Sequence, residues 1–95
     1  METTKKNMDE TRIKAILAAS KYSLSNRRAL KKDSRCGCYF CLSIFSPKEI
    51  TDWIAFEDTA LCPYCGIDSV IGESSGAPLT KWFLKEMKDY LFWEE

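Results

Sequence analysis

Apolar positions recur with a helical period at the two ends of the chain, and with no single period between them. Near the start, Ile13, Ile16, Leu17, Ser20 and Leu24 share one stripe while Arg12, Lys14 and Lys21 lie off it. That pattern predicts a helix over about 8–22. Asn7 and Glu10 stand in a capping-box relation with Asp9 between them, and acidic groups there suit the positive end of the helix dipole. Residues 1–7 are polar and are expected to fray. Ser23 or Ser25 breaks the stripe and is placed to cap a short second helix at about 26–32. Arg27, Arg28, Lys31 and Lys32 of that segment surround Ala29 and Leu30. At the far end Leu79, Phe83, Met87, Tyr90 and Leu91 form a stripe that Trp82, Leu84, Phe92 and Trp93 widen. It predicts an aromatic closing helix over about 79–93.

The middle of the chain is punctuated by turn and cap signals. Cys36 to Phe45 is expected to form a hairpin with Tyr39 and Phe40 at its tip. Ser46-Pro47-Lys48-Glu49 combines a capping serine, a proline suited to the first helical position and a glutamate that can reach back. It predicts an inserted helix over about 47–55 burying Ile50, Trp53 and Ile54. Thr59-Ala60-Leu61 reads as a short strand, Asp68 to Ile71 as the returning strand, and Glu73 to Pro78 as a loop. The expected class is α+β, one domain over 1–95 with a basic helical segment at 8–33 and a metal-binding core at 36–72. That core is zinc-ribbon-like: two knuckles and short antiparallel strands, flanked by N-terminal, inserted and C-terminal helices.

The five cysteines sharpen this picture, because all lie in two clusters, Cys36-Gly37-Cys38-Tyr39-Phe40-Cys41 and Cys62-Pro63-Tyr64-Cys65-Gly66. Two Cys-x-x-Cys pairs separated by 20 residues match the spacing of a four-cysteine zinc site. Each such turn aims two thiolates at one metal, and Gly66 after the second pair tolerates a positive φ. The expected cofactor is one structural zinc ion held by Cys38, Cys41, Cys62 and Cys65; iron bound as in a rubredoxin is a variant of the same site. Leu42 stands where the first pair would carry a glycine, so that knuckle is the weaker signal. Cys36 is left over: it could replace Cys38 as a ligand through a looser turn or serve as a reactive thiol, and the expectation is a buried thiol beside the metal. A redox pair of the thioredoxin kind would need a surrounding βαβ pattern, and buried free thiols are the other alternative. The chain has no histidine, which excludes mixed ligation, and four thiolates close the coordination sphere against a reacting water. No phosphate loop or nucleophile elbow appears, and no enzyme is expected.

Charge adds an asymmetry that the net value of zero conceals. Residues 1–35 carry ten basic against four acidic residues, and the remainder four against ten. The basic segment, with Arg27, Arg28, Lys31, Lys32 and Arg35, either pairs with the acidic half or contacts phosphate. The aromatics of the closing helix, Trp82, Tyr90 and Trp93 above all, either fill the core or face a partner protein or a second copy of the chain. With 95 residues, a chain buries only about 60–65% of its unfolded surface, so a metal staple is physically useful. The first residues lack the apolar core of a secretory signal and no run of about 18 apolar residues exists. The expectation is a cytoplasmic protein with no membrane contact, where thiols stay reduced.

The clusters above, together with Pro47 to Ile54 and Thr59 to Gly72, resemble a family of small bacterial proteins described as cytoplasmic and of uncharacterised function. Ser25-Asn26-Arg27 and Phe83-Leu84-Lys85-Glu86-Met87 extend the resemblance over most of the chain. It implies a zinc-ribbon-like bacterial protein and carries no activity with it. The leading expectation is a non-catalytic, zinc-stabilised protein-interaction module: an adaptor, inhibitor or immunity-type protein. The alternative is a nucleic-acid-binding zinc ribbon or transcriptional accessory factor.

Overall fold

The structure is a computed structural model and describes residues 10–92. The Asn7 cap and Trp93 lie outside the described residues. Three helices are present, α1 (Glu10–Ser20), α2 (Arg27–Lys32) and α3 (Lys81–Leu91). Five short strands lie between α2 and α3: β1 (Cys36–Cys38), β2 (Ile44–Phe45), β3 (Trp53–Ile54), β4 (Thr59–Ala60) and β5 (Val70–Gly72). They form a three-stranded antiparallel sheet in the order β2-β1-β5 and a separate β3-β4 hairpin. This is the α+β arrangement of short antiparallel strands expected from the sequence.

Strand alternation sorts the core into two halves. Because successive side chains on a strand point to opposite faces, Cys36 and Cys38 of β1 and Val70 of β5 share one face with Leu30, Phe45, Ile50, Ala60 and Cys62. Ile71 faces the other way, onto Ile16 and Ala19 of α1 and Phe83, Leu84 and Met87 of α3. The sheet therefore divides a helical half from a half containing the cysteines. Helix α3 is anchored at its start by Thr80, whose hydroxyl accepts from the Phe83 amide at 3.2 Å, and an ion pair from Arg12 to Glu86 at 3.1 Å joins α1 to it. Gly72 is required by close approach: a Cβ there would lie 2.2 Å from the Asp33 carboxylate at the end of α2.

Two expectations are corrected. The inserted helix over about 47–55 is a single 3-10 turn, Pro47–Glu49, after which Ile50 is extended and Trp53–Ile54 is a strand. The cap itself forms as read: the Ser46 hydroxyl accepts from the Lys48 amide at 3.2 Å and the Glu49 carboxylate from the Ser46 amide at 3.3 Å. What fails is propagation, because Ile50, Thr51, Trp53 and Ile54 are β-branched or aromatic and β4 offers them a ladder. Second, neither Ser23 nor Ser25 caps α2; Asn26 holds that position and makes no side-chain cap bond. Its carboxamide is used over long range instead, donating to the carbonyls of Tyr22 (2.9 Å) and Val70 (2.8 Å) and accepting from the Ala60 amide (3.0 Å). The returning strand, whose partner the sequence leaves open, pairs as β5 with β1 in the register Cys36↔Gly72 and Cys38↔Val70, while β4 pairs with β3.

Candidate metal centre

The two knuckles are built alike. In each, the amide of the residue after the second cysteine donates to the carbonyl of the first: Leu42 to Cys38 and Gly66 to Cys62, both at 2.8 Å. Both residues take a positive φ, 69° for Leu42 and 82° for Gly66. Leu42 therefore adopts the left-handed conformation that glycine takes freely, at a cost of about 1–2 kcal/mol, partly offset by packing its side chain against the core. Amides within the turns point at sulfur. Phe40 and Cys41 donate to Cys38 Sγ at 3.3 and 3.5 Å, and Tyr64 to Cys62 Sγ at 3.3 Å. The amides of Ser43 and Ile67 serve Cys41 and Cys65 in the same manner.

Pairing β1 with β5 brings the knuckles face to face. The four sulfurs of Cys38, Cys41, Cys62 and Cys65 lie within 4.8 Å of one another, a group fit to hold a metal ion. Cys38 Sγ stands 3.6 Å from Cys65 Sγ, and Cys41 Sγ 3.7 Å from Cys62 Sγ. A tetrahedron with metal–sulfur bonds of about 2.3 Å has edges of about 3.8 Å, so these pairs sit at coordination spacing. The thiol chemistry agrees. Burial pushes the Cys62 thiol up, and burial together with Cys38 pushes Cys65 up to about 12. Cys41 is opposed by burial, but the hydroxyl and amide of Ser43 and the neighbouring thiols draw it down to about 7. A dication meets this crowding by drawing every sulfur into its thiolate form and releasing the protons.

Two hydroxyls that the sequence did not mark complete the surroundings. Ser69 Oγ lies 3.1 Å from Cys38 Sγ, and Cys41 Sγ lies 3.3 Å from Ser43 Oγ. Proximity of a serine to each cluster was the only signal available, and it does not reveal side-chain direction. Cys36 is outside the group of four, fully buried, its thiol pushed up to about 12 by burial and by the neighbouring Cys62 and acids. We expect Cys36→Ala to retain a full complement of metal by elemental analysis, with a stability loss of about 1 kcal/mol for the vacated volume. Loss of the metal in that variant would place Cys36 among the ligands.

The chain matches no protein-family model, no curated protein and no solved structure. Its remaining candidate residues are accordingly placed by their own surroundings. Trp82 is exposed, with the Arg12 guanidinium 5.3 Å from its ring centre. Tyr90 is half-buried against the helical half of the core, and Trp93 lies outside the described residues. Phe92 closes on Phe40 at 5.1 Å and Tyr39 at 5.8 Å between ring centres, so much of the aromatic surplus is structural. The basic residues separate. Arg35 turns away to donate to the Leu79 carbonyl at 3.1 Å, and Arg28 faces a shallow depression with Lys21. Arg27, Lys31 and Lys32 line a groove that also contains Lys48 and Trp53. No sequence signal marks Phe56, which is fully exposed on the β3-β4 turn. Among the described residues no helix is long and apolar enough to cross a membrane.

Proposed function

We propose that this chain is a zinc-stabilised, non-catalytic module that binds another protein in the cytosol, an adaptor, inhibitor or immunity-type protein. The carrying observation is the packing of four thiols within 4.8 Å of one another, with two pairs at coordination spacing and with amides donating to the sulfurs of Cys38 and Cys62. Four thiolate donors fill the coordination sphere of zinc and leave no position for a substrate or a reacting water. Such a centre supplies folding energy and fixes the geometry of what surrounds it. Zinc is preferred to iron because an all-thiolate tetrahedral shell suits a structural, redox-inert ion. The surface offered to a partner includes Trp82, a large amphipathic ring left in water on α3, of the type that anchors interfaces.

Native mass spectrometry should find one zinc ion per chain. Trp82→Ala should keep that ion and the native melting temperature while weakening capture of the partner by tenfold or more, as loss of an interface anchor does. Capture indistinguishable from the parent protein would sink the assignment of this face.

A further inference from the structure

A second surface, unrelated to Trp82, has a different chemistry. The segment after β2 folds back beside α2 and leaves an open groove of about 650 Å³. Four cations line it, Arg27, Lys31 and Lys32 from α2 and Lys48 from the 3-10 turn, with Asp33 as the acid among the lining residues. Asp33 is already committed, since its carboxylate accepts from the amide and hydroxyl of Ser74 at 3.0 and 2.6 Å. Glu49, next to Lys48, is likewise turned to the Ser46 amide and the Tyr64 hydroxyl. Lys31, Lys32 and Lys48 are exposed and have no ion-pair partner among the described residues. Among these residues the three lysines are therefore left without counter-charge; Arg27 alone has one, an exposed pair with Asp58 at 3.6 Å that a phosphate would displace, so the acidic half reaches this groove only at its Arg27 end.

Aromatic surface lies at one end of the same groove. The Arg27 guanidinium sits 4.7 Å from the Trp53 ring centre, and the Arg27 amide donates to the Asp58 carbonyl at 3.1 Å. That contact brings the β3-β4 turn beside the N-terminal end of α2, and the turn carries Phe56 with its ring wholly in water. A solvated phenylalanine at one end of a groove whose three lysines have no ion-pair partner among the described residues suits a ligand that offers both negative charge and flat apolar faces. An acidic peptide supplies the first and not regularly the second. A nucleic-acid strand supplies both at every residue, and only a single strand leaves its bases free to stack.

We propose that the groove between α2 and the Pro47–Glu49 turn binds single-stranded nucleic acid. Its phosphates lie along Arg27, Lys31, Lys32 and Lys48, and a base stacks on Phe56. This goes beyond the protein-binding reading and does not depend on it; an adaptor would use both surfaces. In this reading Lys48 and Trp53 join Arg27, Lys31 and Lys32, while Arg35 donates to the Leu79 carbonyl and Arg28 lines the neighbouring depression.

The test is a salt-dependent titration of the metal-loaded full chain with labelled oligothymidylate and oligouridylate of about ten nucleotides, a length such grooves cover. Four phosphate contacts to a single strand predict a slope of log affinity against log salt of about −3. Lys31→Ala and Lys48→Ala should each flatten that slope by about 0.7. Phe56→Ala should weaken binding about tenfold at unchanged slope, since stacking is not ionic. Lys14→Ala, an exposed charge on α1, should change neither quantity, nor should Trp82→Ala; every variant should keep the native metal content and melting temperature. The proposal is overturned by absence of binding at low salt or by slopes that ignore Lys31 and Lys48. Equal affinity for polyglutamate would assign the groove to an acidic protein. Equal affinity for a nucleoside monophosphate or for a duplex would likewise exclude a stacked single strand. Loss of strand binding in Trp82→Ala would move the site to the other surface, whereas loss of protein capture alone leaves the groove untouched.

Discussion

Cys62→Ser, or treatment with a strong chelator, should abolish the cooperative thermal transition of the half of the molecule that contains the cysteines. Cys62 is buried, its thiol pairs with Cys41 at 3.7 Å, and its amide donates to the Ile67 carbonyl at 3.0 Å. It therefore ties the second knuckle to the first across the sheet. Zinc binding to a small four-ligand site is worth about 10–16 kcal/mol at neutral pH, while a domain of this size has a net stability of about 5–15 kcal/mol. Removing the metal takes away an amount comparable to the whole. The loss should spread, because β1 carries Cys36 and Cys38 on one face and packs Gly37 against Leu84 on the other. Circular dichroism and amide exchange with and without chelator measure the effect. A melting curve that chelation leaves unchanged would contradict a structural metal.

The same experiment has a proton signature. In the metal-free protein Cys65 is held near 12, above the usual 9.0. Its contribution to stability is present below pH 9 and is lost as pH rises through about 12. Cys41 has the opposite sign: its value of about 7 gives stability that is present above about pH 9 and lost as pH falls through 7. A bound dication lowers all four thiols and makes the folded state labile to acid. Calorimetric titration of zinc in buffers of differing ionisation enthalpy should therefore show protons released at neutral pH.

Asn26→Leu is expected to be the most damaging substitution away from the metal. The side chain is 3% exposed and its carboxamide joins three places distant in sequence: the turn after α1, strand β4 and strand β5. Leucine matches the volume but strands the Tyr22 and Val70 carbonyls and the Ala60 amide. A buried polar group left without its partner costs about 1–3 kcal/mol, so the expected loss is about 3–6 kcal/mol. For a domain of this size that lowers the melting temperature by roughly 15 °C or more. Asn26→Asp should do no better, since it removes both donors and sets a negative charge against two carbonyl oxygens. Urea denaturation of the metal-loaded proteins would decide it. A loss below about 1 kcal/mol would mean that water replaces the carboxamide.

Asn26 also shows where reading the sequence stops. The residue stands at the start of α2, where Ser23 and Ser25 offer the same capping chemistry. Nothing in its neighbours reveals that Val70 lies 44 positions away and within hydrogen-bond reach. Pro47–Glu49 teaches the complementary lesson. Ser46 and Glu49 formed their reciprocal bonds as expected, because a cap is a contract between residues three apart. Whether a helix continued past it depended on β4, which the cap cannot sense.

By itself the sequence determined the group of four cysteines, the two knuckles, the cap at Ser46 and the position of α3. Each of these is decided by residues within about four positions of one another, where spacing translates directly into geometry. Tertiary structure alone decided that β5 joins β1 rather than β4, and so that the two knuckles meet at coordination distance. It also decided that Lys48 of one segment faces Lys31 of another across a groove, and that Phe56 stays in water. Those outcomes depend on which surfaces bury one another, and burial is a property of the whole chain.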